Sequence, residues 1–191
     1  MSRGAGDRGE RGGRRRAPRP LDGAGLQELA LRYVSRFATT RAKARDYLRR
    51  KLRERGWEGG DPPDLEALVA KLAELGYVDD AAFARAKAGS LGARGYGSKR
   101  VSQALARAGV SEADGEDART VAEDGAVEAA LRFARRRRIG PFGTGRPDPA
   151  TREKALAAMI RAGHAFALAK AIVDAAPGEQ PDPEQFAQFQ P

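Results

Sequence analysis

Three times in this chain a helix-forming run ends at a glycine followed by a bulky residue: Gly56 before Trp57, Gly109 before Val110 and Gly163 before His164. These glycines are 53 and 54 residues apart, and an apolar residue (Leu52, Leu105, Met159) stands five positions before each bulky one. A glycine just past a helix end takes up the left-handed conformation that a Cβ disfavours, and the next residue folds back on the last turn. One helix can therefore give way to another without a long loop. Further upstream, Tyr33, Phe83 and Phe133 are spaced by 50 residues, and both Tyr33 and Phe133 follow Ala-Leu-Arg. A period of about fifty residues carried by independent landmarks specifies a tandem repeat.

The repeated unit reads as three helices. No stretch alternates apolar and polar residues as a half-buried strand does, and the periodic segments have helical spacing. Leu26, Leu29, Ala30, Tyr33, Val34 and Phe37 share one face of a first helix. Thr40 is placed to cap a second, in which Ala44, Leu48 and Leu52 recur every four residues. Asp61 as N-cap, Pro62 in the first turn and Asp64 near the positive dipole end predict a third, with Leu65, Leu68, Val69, Leu72 and Leu75 as its buried stripe. Gly76 and Tyr77 repeat the glycine stop, with Tyr77 expected to pack on Leu72. Asp79 then caps the helix that buries Phe83. The corresponding third segment of the middle copy, "SEADGEDARTVAEDGAVEAA", carries two glycines and many acids, which predicts a broken helix or a loop. In the last copy Phe166, Leu168, Ile172 and Val173 restore the stripe, and "GPFGTGRPDP" (140–149) reads as an exposed inserted loop. The expected fold is all-α: three tandem three-helix repeats (26–76, 77–125, 126–176) in an elongated, curved array. An Arg/Gly-rich tail (1–25) and a Pro/Gln-rich one (177–191) are expected to be disordered and flexible.

Charge narrows the function. The 191 residues carry a net +9, which points to an acidic partner such as nucleic acid. Eight basic residues and two acids lie between Arg41 and Arg55, and Arg41, Arg45, Arg49 and Arg53 step by four into a ridge, with Arg50 beside it. Arg135, Arg136, Arg137 and Arg138 form a second cluster. In "ARGYGSKR" Arg94, Lys99 and Arg100 surround a glycine-rich turn. That turn lacks a nucleotide-binding Gly-Lys-Ser/Thr ending, but its free N–H groups could hold one backbone phosphate. There is no cysteine and a single histidine, so no metal site is expected. His164 reads as a packing residue, and Asp79 with Asp80 as a capping pair rather than a catalytic one. No nucleophile, base and oxyanion donors assemble, so the chain is not expected to be an enzyme or to need a cofactor. No secretory signal or membrane-length apolar run is present, which predicts a cytoplasmic protein with no membrane partner.

"KLAELGYVDDAAFARA" followed by "ARGYGSKRVSQALARAGV" resembles the RecX family of bacterial recombination regulators, through Leu72, Leu75, Gly76, Tyr77, Asp79, Asp80, Phe83, Ala84, Arg94, Gly95, Gly97, Arg100, Leu105 and Gly109. "TRAKARDYLRRKLRERGW" resembles the family's upstream segment, and the likeness extends over residues 27–175. The resemblance implies a monomer that lies in the groove of the RecA filament on single-stranded DNA. It would dampen ATP hydrolysis, strand exchange and the co-protease activity that drives the SOS response. Double-stranded DNA is a further candidate partner. The alternative is a direct DNA-binding protein, a helix-turn-helix regulator or nucleoid factor. No helix pair, however, shows a recognition helix with Asn, Gln and Arg at its start.

Overall fold

The computed structural model describes residues 19–178 and 181–189. The expected disorder of 1–18 lies outside them. Among the described residues ten α-helices follow one another: α1 (Gly23–Arg36), α2 (Arg41–Arg55), α3 (Leu65–Glu74), α4 (Asp80–Ala93), α5 (Ser98–Arg107), α6 (Glu112–Asp124), α7 (Ala126–Arg137), α8 (Pro149–Arg161), α9 (Phe166–Asp174) and α10 (Pro183–Ala187). The same residues hold no strand, only an isolated bridge between Leu21 and Trp57.

Nine of the helices sort into three triplets with three separate cores, and α10 packs on the third. Leu26, Ala30, Val34, Ala44, Leu48, Val69 and Leu72 fill the first, and Phe133, Met159, Leu168 and Ile172 the third. The middle core is built largely of alanine: Ala84, Ala88, Ala108 and Ala118 around Leu91, Val101 and Leu105. A fully buried Leu or Met contributes about 1.5–3 kcal/mol and an alanine far less, so the middle triplet depends more on close packing and on its neighbours.

Several local expectations change. The acidic segment of the middle copy is helical rather than a loop: α6 runs unbroken through Gly115 to Asp124, the helix breaks at Gly125 before α7, and Ser111 caps α6, its Oγ accepting the Asp114 N–H (3.0 Å). Its buried face consists of Gly115 and Ala118, small enough for α6 to lie close against α4. The cap of α3 is Asp64, accepting the Ala67 N–H at 2.9 Å, rather than Asp61. Phe37, Leu75 and Phe166 are 56%, 62% and 59% exposed instead of buried, and the Tyr77 ring is exposed although its backbone folds back as expected. The ordered chain also reaches into both expected tails. Leu21 is buried and α1 starts at Gly23, while Phe186 of α10 is buried against the third core.

The glycine stops have a common hydrogen-bond pattern. Tyr77, Val110 and His164 donate their N–H to the carbonyls of Leu72, Leu105 and Met159 at 2.9, 3.1 and 3.2 Å, and Tyr96 to Leu91 at 3.0 Å. Gly76, Gly95, Gly109 and Gly163 all have positive φ. The end of α7 closes in the same way, Ile139 N–H to Ala134 carbonyl (2.9 Å), but with Arg138 in the left-handed position. Gly56 departs from the pattern. Its φ is 82° but its ψ is 172°, and the chain leaves extended towards Trp57.

One rule joins the copies: the start of a copy's second helix sits on the glycine stop of the following copy. At the first boundary Thr40 Oγ1 donates to the Ala108 carbonyl (2.5 Å), and a Cβ on Gly109 would lie 2.3 Å from the Ala42 Cβ. Asp80, buried, accepts the Arg41 N–H at 2.9 Å, while the Arg41 guanidinium pairs with Asp114 at 2.7 Å. At the second boundary Gly97 N–H donates to the Ala162 carbonyl (3.0 Å) and Lys99 N–H to the Gly163 carbonyl (3.3 Å). At the stop of the first copy Leu21 takes that place: its N–H donates to the Gly56 carbonyl (3.0 Å) and its carbonyl accepts from Glu58 (2.9 Å). Here the contact is a parallel bridge between Leu21 and Trp57, which the extended exit from Gly56 allows.

Candidate polyanion interface

The basic ridge of α2 is largely neutralised in the folded chain. Arg41 pairs with Asp114 and Asp80, Arg45 with Glu66 (2.8 Å), Arg49 with Asp46 (3.1 Å) and Arg50 with Glu54 (3.6 Å). Glu54 also accepts from Lys51 (2.5 Å), and that hydrogen bond is the chief reason its carboxyl is held below its ordinary pKa. Arg53, exposed, acts on Glu54 only through its field.

Five cations without an ion pair gather elsewhere. Lys43 from α2, Lys87 from α4, Arg94 just past its end, and Arg100 and Arg107 from α5 line a groove of about 380 Å³ that also holds Gln103 and Tyr96. No acidic side chain lines it, and none of the five cations has an ion pair among the described residues. Arg100, Gln103 and Arg107 fall on one face of α5 because Val101 and Leu105 bury the other. Lys87 on α4 and Arg94, which caps its C-terminus, are seven residues apart and flank Leu91. The Tyr96 ring lies between Arg94 (5.4 Å) and Arg100 (5.9 Å), and Lys43 stands over Phe83 at 4.6 Å. Five like charges converging on one hollow focus a positive potential that a polyanion relieves.

Of the residues expected to bind, Arg94 and Arg100 belong to this groove. Lys43, Lys87 and Arg107 also line it and are not singled out by the sequence, because they converge only once α4 and α5 pack beside α2. The seven-residue step from Lys87 to Arg94, repeated from Arg100 to Arg107, was the available signal. Lys99 is exposed outside the groove. Of the N–H groups at the start of α5 expected to hold a phosphate, that of Lys99 donates to the Gly163 carbonyl (3.3 Å) and that of Arg100 to the Gly97 carbonyl (3.0 Å).

The run 135–138 divides. Arg135 stands over Phe142 (5.0 Å). Arg136 stands over Phe133 (5.5 Å) and donates to the Arg94 carbonyl (2.6 Å), so these two brace the fold. Arg137 also stands over Phe133 (5.7 Å), and with Arg138 it borders a separate cavity beside the inserted loop. His164 is buried, its Nε2 3.2 Å from the Gly95 carbonyl and its ring edge-on to Phe133. Burial pushes its pKa down to about 4, so it packs as a neutral ring at the second boundary. Among the described residues no group of His, Asp and Glu is placed to hold a metal, and no helix is long and apolar enough to cross a membrane.

A family model described as "RecX, second three-helix domain" matches residues 79–118. A curated Regulatory protein RecX of Myxococcus xanthus is 37% identical over 179 residues, covering 88% of this chain and 93% of the relative. The Regulatory protein RecX of Thermobifida fusca is 31% identical over 157 residues, 78% of this chain and 77% of its own. A crystal structure of RecX from Lactobacillus salivarius superposes with a TM-score of 0.58 at 19% identity, covering 78% of this chain and 93% of that one, a likeness of fold.

Proposed function

This chain belongs to the RecX family of regulatory proteins, and from that premise we propose that it binds the RecA–single-stranded DNA filament and inhibits its ATPase, strand-exchange and co-protease activities. The observation that carries this reading is the groove of five unpaired cations at the junction of the first two copies. A nucleoprotein filament presents regularly spaced phosphates and acidic side chains, and an array of helix triplets presents contacts at regular intervals to match. The groove is the primary contact, and the α2 ridge follows it with Arg53 as its least neutralised member.

The test is RecA ATPase on single-stranded DNA as the protein is titrated in. Half-inhibition should shift to at least tenfold higher concentration in the double variant K87E/R107E, because each charge-assisted contact contributes about 1.5–3 kcal/mol. Arg49→Gln, on the paired ridge, should inhibit like the parent. Undiminished inhibition by the folded double variant would remove the groove from the mechanism. Affinity for DNA that RecA leaves unchanged would favour the direct DNA-binding alternative.

A further inference from the structure

We propose that the third copy carries a second, separate site, for a compact oligophosphate such as the triphosphate of a nucleotide, in the hollow between the end of α7, the inserted loop and the start of α8. The hollow has a volume of about 530 Å³ and lies apart from the α4–α5 groove, with no lining residue in common. Four cations line it: Arg137 and Arg138 from the end of α7, Arg146 from the loop and Lys154 from α8. None of them has an ion pair among the described residues. The only acid in the lining, Asp148, is committed to α8, accepting the Thr151 N–H (3.0 Å) and hydroxyl (2.7 Å).

Arg138 supplies an independent observation. It is the one non-glycine residue with positive φ among those described (φ 54°, ψ 48°), and it occupies the stop position that Gly76, Gly95, Gly109 and Gly163 hold elsewhere. A side chain there costs conformational energy that glycine avoids, and such outliers persist where a side chain serves a purpose. What Arg138 adds is a cation at the rim of the hollow. The loop itself is anchored. A Cβ on Gly140 would fall 1.8 Å from the Ile172 carbonyl oxygen, and Gly178 N–H donates to the Pro141 carbonyl (2.9 Å). Four cations drawn from residues 137–154 around one hollow suit several phosphates on a short chain. The floor of Ala155, Ala158 and Val173 offers apolar surface to a base. No part of this depends on the filament reading.

Isothermal titration of inorganic tripolyphosphate and of ATP into the full chain carrying K87E/R107E, which disables the groove, isolates this site. Saturable one-to-one binding is expected, weakened about tenfold by Lys154→Gln and again by Arg138→Gly. The latter also raises the melting temperature by a few degrees, because glycine relieves the backbone, so lost binding cannot be lost folding. Tighter binding of ATP than of tripolyphosphate would assign the base to the apolar floor, and equal binding would assign the phosphates alone. Absence of saturable binding, affinity unchanged in both variants, or binding of an oligothymidylate that neither small molecule displaces would overturn the proposal.

Discussion

At the scale of single residues, the glycine stops separate two costs that usually arrive together. Gly76 has φ of 77°, and a Cβ added to it would meet nothing within 4 Å, so Gly76→Ala should cost only the left-handed penalty, about 1–2 kcal/mol. Gly97 has φ of −79°, and its Cβ would lie 2.4 Å from the Gly163 carbonyl oxygen, so Gly97→Ala carries the clash alone. Gly163→Ala combines both, and urea titration should rank it the most destabilising of the three. His164 adds a dependence on pH. Its folded pKa of about 4 lies below the ordinary 6.5, so the unfolded chain takes up the proton first. Stability is therefore full above pH 6.5 and declines towards pH 4, by about 3 kcal/mol at most. Asp174 acts in a lower window. Arg152, through a pair of hydrogen bonds at 2.6 and 2.7 Å, holds its carboxyl down at about 2, so that contribution is lost only as pH falls from 3.8 towards 2. Unfolding of His164→Gln should accordingly lose its slope between pH 6.5 and 5 while retaining the acid limb.

Among the elements, α6 shows most plainly how a helix can escape a search for large apolar residues. Gly115 and Ala118 give it a small face, which reads as weak in isolation yet lets it approach α4 closely. Glu112 and Asp114 in its first turn complement the positive end of the helix dipole. The acids that suggested a loop are thus part of the reason it is a helix. Ala118→Leu should overpack the α4–α6 contact and cost about 1–3 kcal/mol, whereas Ser111→Ala should cost about 1 kcal/mol through the lost cap. Thermal denaturation followed by circular dichroism distinguishes the two.

Considered whole, the molecule is a series of separate cores joined by a repeated contact, so its stability is expected to be local. Leu21 covers the first glycine stop as a preceding copy would. Leu21→Ala should cost about 2–4 kcal/mol and raise amide exchange in α1–α3 while leaving α8 and α9 protected. Uniform loss of protection along the chain would show the array to be a single cooperative unit. The same arrangement explains where the charge is placed. Arginines of α2 meet acids on other helices, Arg41 with Asp114 across the first boundary and Arg45 with Glu66 inside the first copy, while Lys43, Lys87, Arg94, Arg100 and Arg107, left without such partners, line one groove. What the sequence alone determined was the all-α class, the fifty-residue period and the glycine stops other than that at Gly56, because helix periodicity and backbone conformational preference act over a few neighbouring residues. Which cations are neutralised, which apolar residues stay exposed and what each stop receives depend on groups distant in the chain, such as Ala42 against Gly109 or Arg41 beside Asp114. Coulombic and steric forces act through distance in space, and only the packed triplets bring those groups within range.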